Sequence, residues 1–216
     1  MQYKRNQVEE AIFRTFGAQG ARVSELKFRI KRLLVVDRRL RVKAKSDNED
    51  ERHYAFYSEK PPGKGIEVMF SPYEAFALTA AIMLLEHGLP QSGVVRVMRR
   101  IRKKLEAAHT QTLKKDPNKL FDLEAIKAQA KPGMIATNNT EPVFLVFIKL
   151  TGSAVDMRPG GSPVAVCCGH EELGEFWQRH VLPGMGATFF EFVRVMWDLA
   201  FNLSKTQPTK RGRGAS

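Results

Sequence analysis

Apolar residues recur at helical spacing in two neighbouring segments near the N-terminus. Residues 4–16 place one such stripe on a single helical face, and Gly17 follows as a stop signal. Ser24 is a suitable N-cap for a second helix to about residue 36, whose apolar stripe comprises Leu26, Ile30, Leu33 and Leu34. The short connection between them predicts a helix–turn–helix pair over residues 4–36.

The pattern then changes to short runs rich in aromatic and β-branched residues. The runs 53–57 and 66–70 flank a Pro/Gly-rich segment, which predicts a β-hairpin over 53–70 with Lys60 and Lys64 near its tip. Ser71 as a cap and Pro72 in the first turn predict a third helix to about residue 87.

A fourth helix is predicted from about residue 91 to 113, after Gly88 ends the third. Its apolar face comprises Val94, Met98, Ile101, Leu105 and Ala108. The opposite face is polar and basic, with Ser92, Arg96, Arg99, Arg100 and Lys103.

Beyond residue 116 the pattern predicts a short helix over 120–130, buried strands over 141–148 and 163–168, and helices over 171–182 and 186–204. Glu191, Arg194 and Asp198 form a polar stripe on the last helix, which a membrane span would not carry. Its remaining apolar surface exceeds what one subunit is expected to cover, which predicts a homodimer contact through Phe189, Phe192, Met196, Trp197 and Phe201.

These elements predict an α+β fold that is mostly helical. We expect a winged helix–turn–helix domain over residues 1–116, built from two helices, a hairpin and two helices. A small α+β domain with two strands would follow over 117–204, for dimerisation or sensing. Residues 205–216 are rich in Gly, Pro and basic side chains and are predicted to form a disordered basic tail.

The charge is distributed unevenly. The formal net charge is +12, and residues 1–45 hold 13 basic and 4 acidic side chains, whereas residues 46–90 hold 3 and 8. Residues 91–119 are basic again, with 9 and 2. Because the basic blocks coincide with the second and fourth helices, an acidic partner such as nucleic acid is the first to consider.

A helix that reads DNA needs an apolar face for anchoring and an outer face whose side chains bond base edges and phosphates. The second and fourth helices both fit, and neither interleaves the aromatic residues that stack single-stranded bases, so duplex DNA is favoured. The pattern leaves open which of the two is the recognition helix. Predicted DNA contacts are Lys27, Arg29, Lys31 and Arg32, then Lys60 and Lys64, then Gln91, Ser92, Arg96, Arg99, Arg100 and Lys103.

One segment carries a family-like motif. It contains Tyr73-Glu74-Ala75-Phe76-Ala77-Leu78, then Ile82, Leu85, Glu86-His87-Gly88-Leu89 and Val94. With the element order across residues 4–113, it resembles the winged helix–turn–helix domain of the mercury-resistance-regulator (MerR) family. The resemblance implies that the second helix enters the major groove, that the hairpin is the wing and that the fourth helix contacts phosphates. The first helix lacks the family's usual opening, and the resemblance does not extend to residues 117–216.

Sites for chemistry are sparse. Cys167, Cys168 and His170 lack the further ligands of a tetrahedral zinc site, and a cysteine in an apolar strand is usually a small buried hydrophobe. Neither a P-loop nor a dinucleotide-binding glycine motif follows a strand. No enzymatic activity, metal or cofactor is therefore predicted, and a thiol enzyme using either cysteine is the weakest hypothesis.

The N-terminal residues lack the apolar run of a signal peptide, and the two adjacent cysteines fit a reducing compartment, so we expect a cytoplasmic, nucleoid-associated protein. The leading hypothesis is a homodimeric transcriptional regulator that binds double-stranded DNA sequence-specifically. The alternative is an interaction module that docks an acidic protein or a ribonucleoprotein with its basic surface and its C-terminal aromatic helix.

Overall fold

The computed structural model describes residues 1–43, 53–61, 67–150 and 163–208. Over these ranges the chain is α+β and mostly helical, as predicted. The helices are α1 (Arg5–Thr15), α2 (Ala21–Lys43), α3 (Pro72–Glu86), α4 (Gln91–Thr112), α5 (Pro117–Leu120), α6 (Leu123–Gln129), α7 (Gly169–His180) and α8 (Val193–Ser204). The strands are β1 (Tyr3–Lys4), β2 (Met69–Phe70), β3 (Val143–Leu150), β4 (Val164–Cys168) and β5 (Met185–Glu191).

The predicted helix pair at the N-terminus is confirmed as α1 and α2. The apolar stripe of α2 is buried at all four predicted positions, from Leu26 to Leu34. The predicted cap is wrong, because α2 begins at Ala21 and Ser24 lies exposed inside its first turn. Since α2 also continues to Lys43, well beyond residue 36, it presents a longer outer face than the sequence pattern indicated.

The third and fourth helices have their predicted bounds. Ser71 caps α3 by accepting a hydrogen bond from the Glu74 amide at 3.2 Å, and the Glu74 carboxylate accepts one from the Ser71 amide at 2.6 Å. Gly88 ends the helix with a φ of +85°, a conformation that favours glycine. Packed against α1, α2, α4 and α8, α3 forms the centre of the helical core.

The predicted hairpin is not formed by the described residues. β2 pairs antiparallel with β1, in the register Tyr3↔Phe70 and Lys4↔Met69, and residues 53–61 contain no strand. The amides of Ala55 and Phe56 instead donate to the carboxylate of Asp37 at 2.9–3.1 Å, so side-chain bonds replace the strand ladder. Lys60 is exposed on this irregular segment, and Lys64 lies outside the described residues.

A three-stranded antiparallel sheet, in the order β4-β3-β5, follows in the second half of the chain. The two predicted strands are confirmed as β3 and β4. The prediction of one helix over 186–204 is wrong at its start, because β5 pairs with the other edge of β3 and α8 begins only at Val193. The aromatic residues of β5, Phe189 and Phe190, therefore lie on opposite faces of the sheet and pack in two different apolar clusters.

The first and last helices pack against each other. The side-chain amide of Asn202 donates to the Thr15 hydroxyl at 3.0 Å. The side-chain amide of Gln7 donates to the backbone carbonyl of Thr206 at 3.1 Å. One apolar core includes residues from both sides of residue 116, such as Ile12 and Met196. Thr206 is buried, so the packed chain extends past residue 205, where the tail was predicted to begin. Residues 209–216 of that tail lie outside the described residues.

Candidate nucleic-acid interface

The outer face of α2 carries cations along almost four turns. Between residues 26 and 40 its sole acidic residue is Asp37, which is 0% exposed, so no carboxylate of this stretch interrupts the outer face. The buried apolar stripe and Asp37 fix the helix to the body of the protein. The exposed cationic side chains of this face are Lys27, Lys31, Arg32, Arg38 and Arg39.

Three of these cations rest on aromatic rings. The Lys27 ammonium lies 5.8 Å from the centroid of the Phe13 ring, and the guanidinium of Arg32 lies 5.3 Å from that of Phe28. Arg38 stands over the ring of Tyr57, also at 5.3 Å. A cation–π contact restrains a long side chain, so these three cations are partly ordered.

Arg29 does not belong with the exposed cations. It pairs with Glu25 on the same helix at 2.5 Å and with Glu86 at the end of α3 at 3.8 Å. Glu86 also pairs with Arg22 at 3.4 Å. The structure thus places the charge of Arg29, a predicted DNA contact, in an intramolecular ion-pair network beside the interface.

Arg99 on α4 was predicted to lie on the exposed basic face of that helix. In the structure it is 5% exposed and faces α2. Its Nε and Nη2 donate to the Asp37 carboxylate at 2.9 and 2.7 Å, and Nη2 also donates to the Asp37 carbonyl at 2.6 Å. The prediction of Arg99 as a DNA contact is therefore wrong. Its role is to join α2 to α4.

The remaining predicted residues of α4 lie around this junction. Ser92, Arg96 and Lys103 are exposed, whereas Gln91 and Arg100 are half-buried. Because Arg96 and Lys103 stand three residues before and four residues after Arg99, they lie within one turn of the α2–α4 contact. We call the following set the basic surface: Lys27, Lys31, Arg32, Arg38 and Arg39 of α2, with Arg96, Arg100 and Lys103 of α4.

Arg102 is a positioning residue that the sequence analysis missed. Its Nη1 donates to the carbonyls of Tyr54 and Tyr57 at 2.6 and 2.8 Å, and its guanidinium lies 5.4 Å from the centroid of the Tyr73 ring. The carboxylate of Glu74 holds Ser58, which follows Tyr57 in the chain, by accepting hydrogen bonds from its backbone amide and its hydroxyl. These bonds hold the Tyr57 ring beneath Arg38 of the basic surface.

The predicted dimer residues are placed mostly inside the chain. Phe192 and Met196 are fully buried in the core, and Phe189 stacks on the Trp177 ring with centroids 5.7 Å apart. Trp197 is half-buried, whereas Phe201 is 58% exposed. The expected surplus of apolar surface on a single long helix is therefore largely taken up within one subunit.

The surroundings of the two cysteines disfavour the thiolate form that a nucleophilic cysteine needs. Burial raises the pKa of the Cys167 thiol to about 11 and also raises that of Cys168, so both are thiols at neutral pH. His170 Nε2 lies 2.9 Å from the Ile135 carbonyl. Within the described ranges, no group of three or more His, Cys, Asp or Glu side chains is placed to hold a metal ion.

None of the helices in the described part of the chain combines the length and apolar character needed to cross a membrane. Comparison of the chain with protein-family models, with curated proteins and with solved structures found no match.

Proposed function

We propose that the chain binds duplex DNA through the basic surface, with α2 as the element that lies against the major groove. The observation that supports this is the run of five exposed cations on a rigidly anchored helix whose only acid in that stretch is buried. A helix of this diameter fits the major groove, and arginine bonds both phosphates and guanine edges. The exposed Arg96 and Lys103 of α4 add phosphate contacts beside the groove.

The salt dependence of binding tests this surface. Replacing Lys27, Lys31 and Arg32 with alanine removes three exposed cations without touching the core. If each of these side chains contacts a phosphate, the negative slope of log affinity against log salt becomes shallower by about 0.9 per lost contact. The measurement is fluorescence anisotropy with a labelled duplex over a range of salt concentrations.

The matched control replaces Lys114, Lys119 and Lys131, which are exposed on other elements and carry the same total charge. Its slope is expected to equal that of the unaltered chain. Equal slopes for both triple variants would contradict the proposal. In that case the exposed Phe28 and Val35 on the same face, each 56% exposed, favour docking to an acidic protein groove instead.

We further propose that binding is sequence-specific and that the chain acts as a homodimeric transcriptional regulator. Selection of bound duplexes from a random pool is then expected to return a defined palindromic consensus. Arg32→Ala or Arg39→Ala should relax the preference at one position by about 1–3 kcal/mol per lost base contact. If only Arg96→Ala changes the consensus, the residues that contact the bases are on α4 rather than on α2. If the selected pool stays random, binding is not sequence-specific.

A further inference from the structure

A cavity of about 160 Å³ lies between α2, the β1–β2 ladder and the segment that Arg102 holds. Three cationic side chains line it, namely Arg5, Lys31 and Arg38. Its other walls include the apolar side chains of Leu34, Val68 and Phe70. The lining of the cavity thus combines cationic and apolar side chains.

The charge of this cavity is not balanced by its lining. Arg5 shares its charge with Glu9, whose carboxylate lies 2.7 Å from the Arg5 Nε. None of the described residues that line the cavity is acidic, so within this lining the charges of Lys31 and Arg38 have no carboxylate to balance them. The guanidinium of Arg38 is held over the Tyr57 ring at the cavity wall, which fixes the direction of its donors.

The size and the apolar walls restrict the ligand further. An apolar cavity of roughly 150 Å³ accommodates a single benzene ring, whereas sites for larger ligands span roughly 300–1,000 Å³. Val35 also lines the cavity and is 56% exposed, and Val68 is half-buried, so these two side chains offer apolar surface to a ligand. Leu34 and Phe70 are 6% and 0% exposed and are covered almost completely by the protein itself. A bare inorganic anion would use the cations but leave these walls without contacts.

We propose that this cavity is a binding site for a small amphipathic monoanion, a carboxylate attached to one ring or to a short aliphatic chain. The carboxylate is bound by Lys31 and Arg38, and the apolar body packs against Leu34, Val35 and Val68. Lys31 and Arg38 also belong to the basic surface, but binding of the monoanion needs no nucleic acid, so it is tested separately from DNA binding.

Titration calorimetry of the full chain, without nucleic acid, tests the ligand class with four probes. Benzoate is expected to bind at least about 10-fold more tightly than acetate, because acetate lacks the body that the walls contact. Benzyl alcohol is expected to show no measurable binding, since it lacks the charge. Equal affinities for benzoate and acetate, for benzoate and benzyl alcohol, or for benzoate and inorganic phosphate would each overturn the proposal.

A pair of lysine variants tests the location. Lys31→Ala removes a cation from the cavity lining and should weaken benzoate binding about 10-fold, the usual effect of losing one charge-assisted contact. Lys27→Ala, one turn earlier on α2 and outside the cavity lining, is the matched control and should bind benzoate as the unaltered chain does. Both side chains are exposed, so neither change removes a core contact. An equal loss in the two variants, or none in Lys31→Ala, would overturn the assignment.

Discussion

Replacing Arg99 with alanine is expected to lower the free energy of unfolding by about 3–5 kcal/mol, because it leaves a buried carboxylate without its cation. Asp37 is fully buried and receives two hydrogen bonds from Arg99 and further ones from the amides of Ala55 and Phe56. Burial raises the pKa of Asp37, and Arg99 and these amides oppose that rise. Without Arg99 the pKa rises further, so the loss should shrink as pH falls and Asp37 becomes neutral.

Urea unfolding followed by circular dichroism measures this effect. Arg96→Ala, one turn earlier on α4 and exposed, is the control and should change the free energy of unfolding by less than about 0.5 kcal/mol. The double variant Asp37→Asn with Arg99→Gln should lose less than the sum of the two single changes, since the members of a pair are coupled. A loss for Arg99→Ala as small as that of the control would contradict the structure at the α2–α4 junction.

The second large effect is a loss of stability in acid caused by His109. Its ring stacks on that of Phe76 with centroids 5.0 Å apart and stands at 70° to the ring of Tyr73, and the residue is 4% exposed. Burial lowers the pKa of His109 from 6.5 to about 4. As pH falls from 6.5 to 4, the unfolded chain therefore takes up a proton that the folded chain does not bind. The free energy of unfolding should fall by about 3 kcal/mol over this window.

The contribution of His109 is isolated by a difference between variants. His109→Gln has no titrating ring, so its free energy of unfolding should change less between about pH 7 and about pH 4.5 than that of the unaltered chain. The carboxylates contribute equally to the pH dependence of both proteins, so their contribution cancels when the two are compared. His53→Gln, at an exposed histidine, should retain the full dependence. Identical pH dependence in the His109→Gln variant and the unaltered chain would contradict the buried neutral ring.

The parts of the fold that local signals specify were predictable. The ends of α3 are marked by a capping box and by a glycine with positive φ, and the predicted strands β3 and β4 are continuous apolar runs that pair directly. The hairpin was not predictable in this way. The partner of β2 is the two-residue strand β1, more than sixty residues earlier, and the amides of residues 55 and 56 are satisfied by the side chain of Asp37.

The same distinction applies to the candidate interface. The exposure of Lys27, Lys31 and Arg32 follows from the apolar stripe of α2, which a periodicity of 3.6 identifies. The burial of Arg99 depends on a partner 62 residues away, which no local window contains. One signal was present, because Asp37 falls within the apolar stripe of α2, four residues after Leu33. A buried acid in so basic a helix requires a cation from a neighbouring element.

The contact between α1 and α8 also joins two segments that the ribosome makes at different times. The apolar side of α1 includes Val8 and Ile12, which share the core with Met196 and Leu203 of α8. Because about 180 residues separate α1 from α8, the ribosome completes α1, α2 and α3 well before it makes α8, and until then α1 lacks the cover that α8 provides. Contacts of such long sequence separation close late. Until α8 is made, the nascent chain therefore exposes apolar side chains of α1 beside the cationic outer face of α2.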